Sequence, residues 1–182
     1  MQRRFGDRLE VSWRAFLLRT EAKTADREAF VAYTESWRRP AALEPGATFR
    51  VWASDEPQPT SSVPAHVAAK ALARLAPEAS DAFHHRLLRA YFAENRTISD
   101  RSVLADLAAD VGVDRGEFTT HLAEWERDLT RQVLEEHDEA VAQGITAVPT
   151  MVIDEVLPVQ GAQEVETIAR WIERLLERKD RG

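Results

Sequence analysis

Two groups of strand-forming residues stand at opposite ends of this chain, and a helical stretch from Pro64 to Gln143 separates them. At the start, "RLEVSWRAFLL" sets Leu9, Val11, Trp13, Ala15 and Leu17 in alternation with Glu10, Ser12, Arg14 and Phe16. A period of two in branched and aromatic residues predicts a strand, and Phe16 with Leu18 makes both of its faces apolar. At the far end, "ITAVPTMVI" and "VLPVQ" read as two short strands joined by Asp154-Glu155. The order of elements is therefore strand, helices, strand, strand, helix.

The helical block reads as several elements. "PAHVAAKALARL" has proline in its first turn, with Ser61 or Ser62 near the cap. "ASDAFHHRLLRAYFAEN" aligns Phe83, Leu87, Leu88 and Tyr91. "SDRSVLADLAADVG" stops at Gly112, and "DRGEFTTHLAEW" with "ERDLTRQVLEEHDEAVAQ" stops at Gly144. Upstream, "ADREAFVAYTESWRR" is expected to be a helix ending before Pro40. Residues 40 to 63, rich in proline, are expected to form an ordered loop with a short strand at "FRVW". "AQEVETIARWIERLLERK" closes the chain with one apolar face.

Composition removes several classes of function. The 182 residues carry a formal net charge of -7, which argues against a nucleic-acid surface. No apolar run reaches the ~18 residues of a membrane span. The start, "MQRRFGDRLEVSW", lacks the apolar core of a signal peptide, so a cytoplasmic location is expected. The chain has no cysteine, which leaves no disulfide framework and no thiol nucleophile among its residues. His66, His84, His85, His121 and His137 show no i, i+4 pairing, so no metal site is expected. Ser61 and Ser62 suit a helix cap better than an anion site. Trp13, Trp37, Trp52, Trp125 and Trp171 lie on apolar stripes, and core packing is their default reading.

"QGITAVPTMVIDEVLPVQGAQ" carries the one specific signal. It resembles the C-terminal part of DsbA-like thioredoxin-fold proteins. "LLRAYFAENRTISDRSVLADLAADVGVD" is similar to the FrnE-like and 2-hydroxychromene-2-carboxylate isomerase-like branches. This resemblance runs over essentially the whole chain and implies a thioredoxin-like α/β fold with an inserted all-helical domain. It implies a thioredoxin-like domain at 1–60 and 144–182 and the insertion at 61–143. It also implies a cis bond before Pro149, with Ala147, Val148 and Pro149 lining a groove for an extended peptide or a small thiol, and His66 on the side facing it.

The family's first strand and C-x-x-C motif have no counterpart here, so the resemblance brings no catalytic residue. A thiol–disulfide oxidoreductase is the family activity. A binding protein without redox chemistry and a glutathione-dependent isomerase or transferase of the kappa-type branch are the alternatives. No cofactor is expected on the first two readings, and glutathione on the third. Loss of a central strand would open two sheet edges, which predicts a homodimer with its contact in residues 1 to 18.

Overall fold

The computed structural model describes residues 2–18, 26–43 and 46–180. The chain separates into two compact units, Met1–Phe16 with Glu136–Gly182, and Leu17–Glu135.

The larger unit is helical. It holds α2 (Arg27–Thr34), α3 (Arg38–Leu43), α4 (Val63–Leu75), α5 (Ser80–Phe92), α6 (Arg101–Asp110) and most of α7 (Arg115–Ala142). α1 is the short turn Gln2–Phe5 of the other unit. Alanines at 68, 71, 90, 105 and 108 let the helices approach closely, and Leu72, Phe83, Leu104, Leu107, Phe118 and Val133 fill the space between them. Asp100 caps α6, its carboxylate accepting from the Ser102 and Val103 amides at 2.7 and 3.3 Å. Ser61 Oγ accepts from the Val63 amide at 3.2 Å at the entry to α4.

A second core in this unit is aromatic. Phe30, Trp37 and Trp52 are buried, with Phe49, Tyr91 and Phe92 packed on them. The Trp37 ring stands edge-on to Tyr91 and Phe92 with centroids 5.1 and 4.9 Å apart. Side chains hold the irregular 46–62 segment over these rings. Thr34 Oγ1 accepts from the Trp52 amide at 3.0 Å and donates to the Val31 carbonyl at 2.7 Å. Asn95, at φ 54°, accepts from the Ala53 amide and donates to the Arg50 carbonyl. The Glu56 carboxylate accepts from the Thr97 amide at 2.7 Å and from Arg96 Nε at 3.0 Å.

The smaller unit contains the sheet. β1 (Thr150–Ile153) and β2 (Leu157–Gln160) pair antiparallel, Thr150 opposite Gln160 and Ile153 opposite Leu157. Asp154 and Glu155 in the turn have φ of 54° and 59°, the positive values that a tight hairpin turn demands. α8 (Val165–Lys179) comes next, burying Ala169 and Ile172. Arg4 reaches Glu166 and Glu173 on α8 at 3.0 and 2.9 Å, and Arg14 reaches Glu139 on α7 at 2.5 Å.

Several expectations are corrected. Residues 9–17 are extended but join no sheet, because alternation sets side-chain faces and cannot supply a ladder partner. Ala15 and Leu17 are buried, whereas Val11 and Trp13 stay about half exposed. Trp13 is therefore not a core residue. "FRVW" forms no strand for the same reason. The helix expected to stop before Pro40 breaks earlier, into a 3-10 turn at Glu35–Trp37, and α3 then runs through Pro40. Pro40 sits in the first turn of α3, where a missing N–H costs no hydrogen bond. The two segments read at 114–143 are one helix of 28 residues, with no breaker between them.

Candidate functional site

The end of α7 sets the path of the chain into the sheet. Gly144, at φ 78°, donates to the Val141 carbonyl at 2.9 Å, and Ile145 donates to the Ala140 carbonyl at 3.0 Å. This is the double bond pattern of a Schellman stop, which needs a residue tolerant of left-handed backbone at that point. Ile145 is buried and anchors the chain, and Thr146 to Pro149 then run exposed to the start of β1.

Side chains and main chain brace this loop from both ends. Thr150 Oγ1 donates to the Ala147 carbonyl at 2.6 Å. The Gly161 amide donates to the Pro149 carbonyl at 2.8 Å, and Gly161 has φ 79°. Gln160 Nε2 donates to the Gly144 carbonyl at 3.4 Å, and Gln163 Nε2 to the Gln160 carbonyl at 3.1 Å. The carbonyls of Ala147 and Pro149 are thus occupied. The Val148 amide and carbonyl between them take part in no hydrogen bond among the described residues, and Val148 is 45% exposed. The Val148–Pro149 bond is cis.

Ala147, Val148 and Pro149 form one continuous surface in the smaller unit. His66 belongs to the larger unit, on α4. It is grouped there with His84, whose imidazole is half-buried and held down to about 4. Burial is the main cause, and the nearby His66, His85 and Lys70 add to it against the opposing pull of Asp81. Among the described residues no group of three or more His, Asp or Glu side chains is arranged to hold a metal ion. No helix among them is long and apolar enough to cross a membrane.

Thr150, Gln160, Gly161 and Gln163 are the supporting residues that reasoning from sequence did not single out as such. The Gly-Ala-Gln run was visible as a motif, but its hydrogen-bond role depends on β2 returning beside the loop. What the arrangement offers chemically is main-chain recognition. One free donor and one free acceptor on a braced, exposed residue suit an extended peptide.

A family model for the DSBA-like thioredoxin domain matches residues 1–173. The uncharacterized protein YwbO of Bacillus subtilis (strain 168) is 36% identical over 86 residues, 46% of this chain and 42% of that protein. This alignment therefore spans less than half the length of that relative. A probable DsbA oxidoreductase from Streptomyces coelicolor superposes with a TM-score of 0.68 at 24% identity, covering 88% of this chain and 73% of that one. The cytosolic disulfide reductase DsbM from Pseudomonas aeruginosa superposes with a TM-score of 0.67 at 19% identity, covering 88% and 82%. Its structure with GSH gives 0.69 at 19% identity, covering 91% and 82%. Likeness at these identities establishes the fold, a DsbA-like thioredoxin fold that is mostly helical with a small two-stranded sheet.

Proposed function

This chain belongs to the DSBA-like thioredoxin domain family, and from that membership we propose that residues 1–182 supply substrate recognition of the kind used in thiol–disulfide exchange, and no exchange chemistry of their own. The carrying observation is the Val148 main chain, unpaired and exposed between two braced carbonyls, in a chain with no cysteine. Exchange requires attack by a thiolate on a disulfide sulfur, and no residue of this sequence provides one. Binding needs only the main chain. An extended peptide laid along Ala147–Pro149 gives one N–H to the Val148 carbonyl and takes one from the Val148 amide.

Glutathione is a second ligand for the same surface, favoured by the likeness to a DsbM structure solved with GSH. As a short γ-linked peptide it offers the same amide groups. The test has two arms. Insulin reduction and refolding of a scrambled disulfide protein are expected to proceed no faster than with heat-killed protein. Catalysis above that control would overturn the reading. Fluorescence polarisation with a labelled extended peptide, competed by reduced glutathione, is expected to show saturable binding.

A further inference from the structure

Positive charge gathers at one place in this acidic chain. The whole sequence carries -7, yet residues 38–50 hold three arginines, Arg38, Arg39 and Arg50, and one carboxylic acid. Two of these arginines border a cleft of about 530 Å³ in the larger unit, between α3 and the irregular segment at 49–51. Its other lining residues are Ala41, Ala42, Phe49 and Val51, so every polar side-chain group around it belongs to an arginine.

The two arginines differ in what they already hold. The Arg38 guanidinium donates to both carboxylate oxygens of Glu35, at 2.5 and 3.3 Å. The Arg50 guanidinium has no hydrogen bond or ion pair among the described residues. Its main chain, by contrast, is fixed on both sides. The Arg50 amide donates to the Phe92 carbonyl at 2.8 Å, and the Arg50 carbonyl accepts from Asn95 Nδ2 at 3.2 Å. Phe49 beside it stands edge-on to Phe92 with centroids 5.1 Å apart, so this wall is anchored to the aromatic core. A charged fork on a fixed backbone, next to an apolar surface, loses little freedom when an anion arrives.

We propose that this cleft binds a carboxylate carried on an apolar chain, a fatty acid of medium length. With Arg38 neutralised by Glu35, the rim offers one uncompensated positive charge. One carboxylate matches that charge, and its two oxygens match the paired N–H groups of the guanidinium. A phosphate dianion would leave surplus negative charge on a chain already at -7. Beyond the head group, Ala41, Ala42, Phe49 and Val51 offer only apolar side chains, which suit methylenes and leave no polar side chain of the floor to satisfy. The volume lies within the range of small-molecule sites.

The test uses the whole chain with octanoate, 1-octanol and inorganic phosphate as probes, followed by amide chemical shifts. Octanoate is expected to shift the Ala41, Ala42 and Phe49–Val51 amides saturably, with a Kd of about 1 mM or lower. Decanoate, with two more methylenes, is expected to bind about tenfold tighter. Arg50→Gln keeps both main-chain bonds, so its far-UV dichroism is expected to stay unchanged while octanoate binding weakens by about tenfold, the lower end for a charged hydrogen bond. Glu35→Gln releases Arg38 and is expected to tighten octanoate binding. No saturable shift with octanoate, or equal binding by Arg50→Gln, would overturn the proposal. Equal affinity for 1-octanol would show that no charge is read, and equal shifts with phosphate would show an inorganic anion site; either result also overturns it. Peptide binding at Val148 is read separately, because the two sites share no residue.

Discussion

Replacing Glu136 probes how the extended 9–17 segment keeps its place without a sheet. Glu136 is 8% exposed, and its carboxylate accepts from the Ala15 amide at 2.8 Å. Ala15 itself is 3% exposed, so water cannot readily take over that amide. In Glu136→Ala the orphaned donor costs about 1–3 kcal/mol. Arg14 Nε stands 3.6 Å from the carboxylate but is 60% exposed, so the charge attraction adds at most ~1 kcal/mol. Glu136→Gln keeps an acceptor and loses only the charge, so its cost is that smaller part. Hydrogen exchange resolves the two. The Ala15 amide is expected to exchange about 5- to 150-fold faster in Glu136→Ala, the rate equivalent of ~1–3 kcal/mol in local opening, and only slightly faster in Glu136→Gln. Unchanged Ala15 protection in Glu136→Ala, or an equal effect of the two variants, would refute the reasoning.

Other contacts make three further outcomes measurable. His84 sits at about 4 in the folded chain against an ordinary 6.5, so the unfolded chain binds more protons between those values. Stability is therefore full above about pH 6.5 and falls as the pH drops toward 4, and His84→Gln is expected to flatten that slope in urea titrations. Asn95→Ala loses two main-chain partners and forces alanine to φ 54°, at a cost of about 1–3 kcal/mol for the orphaned groups and ~1 kcal/mol for the left-handed backbone. Asn95→Gly avoids the second cost, and its unfolding midpoint is expected to lie above that of the alanine variant. Phe83→Ala, at a position with no exposure, is expected to cost ~3–5 kcal/mol by calorimetry.

Local chemistry made part of this structure readable. Gly112 and Gly144 end α6 and α7 because left-handed backbone at a helix stop favours glycine, and both have positive φ. The hairpin was legible from two short apolar runs around an acidic turn, but β1 holds only Thr150–Ile153 of the run read as a strand from Ile145, and Val156 belongs to the turn. Misreadings came where the answer lies elsewhere in the chain. Leu9–Leu17 has the alternation of a strand, but its Ala15 amide is bound by a side chain 121 residues away. Trp13 belongs to an apolar stripe and yet is 44% exposed. The loop at Ala147–Pro149 was recognisable from its Val-Pro and Gly-Ala-Gln residues. That Thr150 and Gly161 occupy the flanking carbonyls and leave Val148 free depends on the fold of both strands.

The central claim is that Val148 receives substrate through its main chain. Amide exchange across Thr146–Gln163, with and without a saturating extended peptide, tests it most directly. The account predicts that the Val148 amide, rapidly exchanging in the free chain, becomes protected on binding, while the Gly161 amide, already bonded to Pro149, changes little. A bound peptide that leaves Val148 exchange untouched would contradict it.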